Sequence, residues 1–376
     1  MGTSQSSQRA KEHYNQQHGG SSSKYATRNS SVAALDRHNH GGPSTQAGSI
    51  HNNSSNSTSL QKALSRRRSS NKPGETGSSH GSTHSGGQND SRMPSHQEDD
   101  EDYVWYHGRR YHNTDSLYML PNDSQEVDRL HMQHYIFKAA LEKNIHVPIP
   151  ENGRVMEFGC GPATWTMDMA TEMSTINFVG VDISPIYPTA IYPRNCNFYN
   201  EDFLHGVSQP HNVFDVVFQR NVSCGLTLEH WQQAMKEAFR ILKPGGYYEC
   251  VESDVTVQNA GPQTELVFEH LRQSMRTRNV DSGVVRSLNQ LMAAAGFVDV
   301  NVKEVPVPVG DWGGKVGQLW KQNVFSILET VRPQLARAAR ITEAQVQEVV
   351  NAMHQETFTH RAFQVVYVAY GKKPLA

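Results

Sequence analysis

The sequence predicts an α/β domain: a mostly parallel sheet with helices on both faces, preceded by a long low-complexity tail. Three observations predict it. Strand-like and helical segments alternate from Arg154 onward, the pattern of parallel strands joined by crossover helices. A glycine-bearing turn joins the first of those strands to the helix after it. Composition is split: residues 1–100 contain no Phe or Trp, and all 13 Phe and 5 Trp follow them. Rich in Ser, Gly, Asn, Gln and His, the first hundred residues lack the apolar surface to offset the entropy of ordering, so a disordered tail is expected there.

The elements follow in order. An acidic run, Glu98 to Asp102, closes the tail, and aromatic residues begin abruptly at Tyr103. From Asp123 to Lys143 the spacing of Val127, Leu130, His134 and Phe137 predicts a helix, with Asn122 or Asp123 as its cap. Strands are expected at Arg154–Phe158, Asn177–Val181, Cys196–Tyr199, Phe214–Gln219, Gly246–Glu252, Val298–Val305 and Phe363–Tyr370. Helices are expected at Ala163–Met173, at Thr227–Leu242 with Thr227 as cap, at Gln263–Thr277, and at Val284–Ala295 closed by Gly296. A helical excursion over about Val316–Thr357 is too long for a loop and is expected to wall a ligand site.

Four short segments carry the chemistry. The first is the turn Glu157-Phe158-Gly159-Cys160-Gly161-Pro162-Ala163, whose glycines allow a tight turn and close approach of backbone to a ligand. Its lack of a third glycine, and Glu157 just before it, argue against a dinucleotide site. The second is Gly180-Val181-Asp182-Ile183-Ser184, where a carboxylate at a strand end can accept bonds from two ribose hydroxyls. The third is Asn200-Glu201-Asp202-Phe203, where either acid can accept from a purine amine. The fourth is Leu242-Lys243-Pro244-Gly245-Gly246-Tyr247, a helix-to-strand turn.

Spaced this way, the four segments resemble the class I S-adenosylmethionine-dependent methyltransferases. Upstream, Gly108-Arg109-Arg110-Tyr111-His112, Tyr118-Met119-Leu120-Pro121-Asn122-Asp123 and Gln133-His134 resemble a fungal group: UMTA-type methyltransferases and velvet-associated regulators of secondary metabolism. Phe218-Gln219-Arg220 followed by Trp231, and Glu249 with Glu252, fit that group, whereas its aspartate before the Trp is His230 here, beside Glu229. The resemblance implies a Rossmann-like, seven-stranded, mostly parallel sheet with an antiparallel last strand. It implies three parts for residues 101–376: an N-terminal helical cover (101–150), a cofactor-binding core (151–255), and substrate-side helices with the last strands (256–376). It places Glu157, Gly159 and Gly161 near the methionine part of S-adenosylmethionine, Asp182 on the ribose, and Asp202 with the Phe203 backbone at the adenine, with Cys160 and Ile183 also at the cofactor. Arg220 either touches ligand or pairs with a neighbouring carboxylate. Tyr118 and Tyr111 are either cover for a sulfonium cation or core.

The expected activity is methyl transfer to a small-molecule or protein acceptor; the alternative is a regulatory scaffold that keeps the fold, with a protein partner. No [ND]PP[YF] motif follows the fourth strand, so the acceptor is not written in the sequence. Catalytic residues are unassigned; His107, His134 and Glu252 are candidate bases. A net charge of −2 and the lack of a basic face give no support for nucleic acid. The widely spaced Cys160, Cys196, Cys224 and Cys250 read as reduced buried thiols, and the 19 His show no metal-ligand spacing. Without an apolar leader, a soluble cytoplasmic or nuclear location is expected. Met1-Gly2-Thr3-Ser4-Gln5-Ser6 matches the myristoylation pattern, which would add transient membrane association, and Arg66-Arg67-Arg68-Ser69-Ser70 resembles a basophilic kinase site or part of an import signal.

Overall fold

The computed structural model describes residues 103–375. The expectations for the tail, Gly2 and Arg66–Arg68 lie outside the described residues.

The described chain opens with an unanticipated hairpin, β1 (Tyr103–Tyr106) and β2 (Arg109–His112), paired antiparallel. His107 and Gly108 turn it, both with positive φ, as a two-residue hairpin turn demands. Arg109 then fixes the hairpin to the next helix: its Nε and Nη2 donate to the two Asp123 carboxylate oxygens at 2.5 and 2.9 Å. Asp123 also caps that helix, α1 (Ser124–Leu141), by accepting the Glu126 N–H at 3.0 Å. The N-terminal cover is thus part hairpin and part helix.

From β3 (Arg154–Phe158) the expected alternation appears: α2 (Thr164–Glu172), β4 (Asn177–Asp182), β5 (Cys196–Asn200), β6 (Phe214–Arg220), α3 (Leu228–Ile241) and β7 (Leu242–Gln258). Thr227 caps α3 as expected, accepting the His230 N–H. Then come α4 (Pro262–Arg276), the 3-10 turns Ser282–Ser287, α5 (Leu288–Ala294) and β8 (Val298–Pro308). The excursion resolves into α6 (Gly314–Thr330), α7 (Arg332–Ala339) and α8 (Glu343–Thr359), and β9 (Phe363–Lys372) ends the sheet. Its seven strands run in the order β5-β4-β3-β6-β7-β9-β8. β3 to β7 are parallel, and β9 lies antiparallel between β7 and β8.

Because successive strand side chains face opposite ways, the sheet feeds two cores. Val155, Val216 and Phe218 pack on one face with Phe137, Trp165 and Trp320. Met156, Phe158 and Val217 pack on the other with Trp231, Met235 and Tyr248. Burial on both faces explains why β3 and β6 read as near-continuous apolar runs. The excursion reaches back across the first face. Trp320 of α6 meets Phe137 of α1 edge-on at 5.3 Å, and Glu356 of α8 caps the start of α4 by accepting the Gln263 and Thr264 N–H groups at 2.8 Å. Among the described residues no helix is long and apolar enough to cross a membrane.

Candidate functional site

The C-terminal ends of β3, β4, β5 and β6 open into a cavity of about 550 Å³, within the range that holds a cofactor-sized ligand. Glu157, Gly159, Cys160, Gly161, Asp182, Ile183, Asp202, Phe203, Arg220 and Tyr118 all line it. Tyr111 does not.

The loop after β3 explains its own sequence. Gly159, Gly161 and Ala163 all take left-handed backbone, with φ of 66°, 53° and 57°. A Cβ on Gly159 would stand 2.6 Å from Val222 Cγ1, so this position excludes a side chain sterically as well as conformationally. At Gly161 a Cβ would meet nothing nearer than Leu130 Cδ1 at 3.7 Å; glycine is needed there for the backbone alone. Asp182 at the end of β4 holds the loop. Its Oδ2 accepts the Gly161 N–H at 2.7 Å and its Oδ1 the Ser184 N–H at 2.8 Å. Each oxygen keeps a lone-pair direction for a further donor. Burial pushes this carboxyl up to about 6, against the pull of those backbone bonds.

Glu157 sits beneath the loop and accepts from Thr166 Oγ1 at 2.5 Å. Burial pushes it up to about 7, with the Arg220 charge opposing. Arg220, at the end of β6, lies over the Phe137 ring at 5.6 Å, and its Nη2 donates to His134 Nδ1 at 3.0 Å. That bond fixes the His134 tautomer, since Nδ1 must accept and Nε2–H then donates to Asp168 Oδ2 at 3.0 Å. Burial holds His134 down to about 4, so it is neutral. Arg220 therefore lines the cavity and is hydrogen-bonded to a histidine rather than a carboxylate.

At the end of β5, Asp202 accepts the Leu204 N–H at 2.8 Å and faces His205 Nδ1 at 2.8 Å. Phe203 stacks on Phe158 with centroids 4.8 Å apart, and Glu201 turns away to Ser208, outside the cavity lining.

None of the three candidate bases lines the cavity. His107 is exposed in the hairpin turn, and both His134 nitrogens are engaged. Glu252 is fully buried; it accepts the Val222 and Ser223 N–H groups at 3.3 and 3.1 Å and shapes the loop after β6. Cys160, Cys196 and Cys250 are buried as expected, while Cys224 is only partly so.

Apart from Tyr118, sequence reasoning missed the roof. Residues 114–118, which form no helix or strand, line the cavity together with Leu130 and Gln133 of α1 and with Asn221, Glu229, His230 and Gln233. An irregular segment carries no periodicity to read, and its ordering bonds are local, such as Tyr118 N–H to Ser116 Oγ at 3.2 Å. The excursion, expected as a wall, contributes no residue to this cavity.

The family described as "Methyltransferase domain" matches residues 131–302, from α1 through the start of β8. The chain is similar to that family over those residues. Around them it is similar to the "Secondary metabolism regulator laeA" of Aspergillus flavus, 28% identical over 305 residues, covering 74% of this chain and 80% of that protein. It is also similar to the "Protein-methionine methyltransferase laeA" of Emericella nidulans, 27% identical over 286 residues, covering 71% and 76%. Among solved structures, a Haemonchus contortus phosphoethanolamine N-methyltransferase 2 is 16% identical with a TM-score of 0.44, covering 70% of this chain and 62% of that one. Within the matched residues the glycine turn, the acid ending β4 and the acid after β5 meet at one cavity.

Proposed function

We propose that this cavity binds S-adenosylmethionine and that the chain transfers its methyl group to an acceptor entering from the Arg220–Asn221 side. The observation that carries the reading is Asp182: a half-buried carboxylate tied by one oxygen to the glycine turn and by the other to its own strand end, with lone pairs left for two hydroxyl donors. The residues fit the cofactor. Glu157, Asp182 and Asp202 give the cavity an acidic floor, which suits a cationic ligand rich in hydroxyl and amine donors. Gly159 leaves free the space a side chain would take.

When bound, S-adenosylmethionine supplies an electrophilic methyl group on a sulfonium. The chain's residues then have three tasks. Asp182 accepts the ribose hydroxyls, and Asp202 with the Phe203 backbone takes the adenine edge. Glu157, whose charge is disfavoured by burial, is stabilised as a carboxylate by a cation nearby. Tyr118 and the irregular roof exclude water while the reacting atoms are aligned.

The acceptor we infer is a protein side chain carrying no proton at the nucleophilic atom. One finding supports this: the Emericella nidulans relative is named for protein methionine, whose thioether needs no base. A regulatory role would then act through methylation. Incubating the full chain with methyl-labelled S-adenosylmethionine and a fungal extract, followed by separation on a denaturing gel, tests it. Label in a protein band supports the reading; label only in small molecules refutes the protein acceptor.

A further inference from the structure

A second, smaller chamber of about 90 Å³ lies behind the cofactor cavity and shares Tyr118, Gln133 and Asn221 with it. Its far wall is the helical excursion: Trp320, Asn323, Val324 and Ile327 of α6 line it, opposite Val255 of β7 and Phe268 of α4. Three features of its polar groups define what fits.

The first is Asn323, fully buried in an otherwise apolar helix face. Its Oδ1 accepts from Arg129 Nη1 at 2.7 Å, which fixes the amide orientation, and its Nδ2 has no hydrogen-bond partner among the described residues. The second is Asn221, just after β6. Its φ of 54° is left-handed, its Oδ1 accepts from Ser253 Oγ at 3.0 Å, and its Nδ2 is also buried without a partner. A buried donor left without a partner is unfavourable, so two on one small chamber need an explanation. The third is charge. Arg129 is held by Glu126 through paired bonds, with Nη2 to Oε1 at 2.6 Å. Asp254 is paired to Arg286, Nε to Oδ2 at 2.6 Å. Both charges on the wall are thus neutralised in place.

We infer that this chamber is the acceptor subsite of the methyltransferase and that it takes an uncharged, compact apolar group bearing a hydrogen-bond acceptor, which the Asn323 and Asn221 amides recognise. The inference rests on the methyl-transfer reading of the adjoining cavity. Neither a carboxylate nor a phosphate finds an unpaired cation on this wall. An amide carbonyl or a thioether brings an acceptor for these amide donors and apolar surface for the surrounding Trp, Phe, Val and Ile side chains. In the step itself an acceptor lone pair forms the new bond to the methyl carbon as the sulfonium C–S bond breaks, and that bond's electrons stay on sulfur. An acceptor without a proton becomes a cation, so no proton has to leave the chamber.

The test uses the full chain saturated with S-adenosylhomocysteine and two probes sharing one side chain: N-acetyl-L-methioninamide, which is uncharged, and free L-methionine, which is zwitterionic. Calorimetric titration should show the uncharged probe binding at least about tenfold more tightly. Asn323→Asp keeps the acceptor for Arg129 and removes the free donor; it should weaken that probe about two- to tenfold, one hydrogen bond's worth, and leave S-adenosylhomocysteine affinity unchanged. Asn221→Asp, which tolerates the left-handed backbone, should weaken the probe by a similar factor. Equal binding of the two probes, no binding of the uncharged one, or unchanged probe affinity in both variants overturns the inference. Failure of the wild-type chain to bind S-adenosylhomocysteine would instead overturn the cofactor reading on which it rests.

Discussion

Asp182→Asn offers the sharpest perturbation of the cofactor site, because it preserves shape while removing the charge and replacing one acceptor oxygen by a donor nitrogen, which also costs one of the two backbone N–H bonds. In the wild-type protein the carboxylate accepts two backbone N–H bonds and keeps room for two hydroxyls. A hydrogen bond to a charged acceptor contributes about 1.5–3 kcal/mol and a neutral one about 0.5–1.5, so two hydroxyl bonds lose roughly 2–3 kcal/mol together. At about 1.36 kcal/mol per decade, S-adenosylhomocysteine affinity should fall roughly thirty- to a hundred-and-fifty-fold. The pH dependence carries a second signature. Burial raises this carboxyl to about 6, and hydroxyl donors favour its ionised form. Binding is therefore strongest above that value and weakens as pH falls through it, by at most about tenfold per unit for one proton. Glu157 titrates nearby, at about 7, so the quantity to read is the ratio of wild-type to variant affinity between pH 5 and 8. Calorimetric titration should show that ratio shrinking as pH drops below about 6. A ratio near one at pH 8, or one independent of pH, would refute the reasoning.

Three further outcomes follow. Glu157 is held above its ordinary range, so its folded-state penalty is absent below about pH 4.5 and grows as pH rises through about 7; Glu157→Gln should flatten the melting temperature between pH 5 and 8 and raise it at pH 8, by an effect on the order of 1–3 kcal/mol, and a lower melting temperature at pH 8 would contradict this. Gly161→Val should retain the circular dichroism of the wild type yet lose cofactor binding, because the strained φ of 53° distorts the turn rather than the core, whereas Gly159→Ala should also lower the melting temperature through its clash with Val222; normal binding by either would remove the turn from the site. A chain beginning at Glu98 should bind S-adenosylhomocysteine and melt like the full chain, since the residues removed include no Phe or Trp; a fall of many degrees would show that they pack on the domain.

The sheet was legible because buried parallel strands leave a strong signature. Val155-Met156-Glu157-Phe158 and Phe214 to Gln219 serve two cores at once, so their apolar runs are hard to mistake. Thr227 and Asp123 announced their helices by capping chemistry that acts within four residues. What acts at long range was not readable. β7 runs six residues past Glu252 because β9 is there to pair with it, Val257 meeting Gln364 and Gln258 meeting Phe363. His134 fits the helical spacing of α1 whether it faces a ligand or Arg220, and only the fold chooses Arg220. Nine of the cavity-lining residues, from Glu157 to Arg220, were readable from motif spacing because each ends a strand or lies in the turn after one, and the sheet brings those ends together. Asn221 and Asn323 were not, because an amide nitrogen without a partner is a property of the assembled chamber and leaves no trace in sequence.

The central claim is that the cavity behind the Gly159–Gly161 turn is built for S-adenosylmethionine. Calorimetric titration of the full chain with S-adenosylhomocysteine and, in parallel, with NADH tests it most directly. The account predicts saturable binding of S-adenosylhomocysteine at one molecule per chain, lost in Gly161→Val, and no binding of NADH. Binding of NADH in place of S-adenosylhomocysteine, or equal binding of S-adenosylhomocysteine by the Gly161→Val chain, would contradict it.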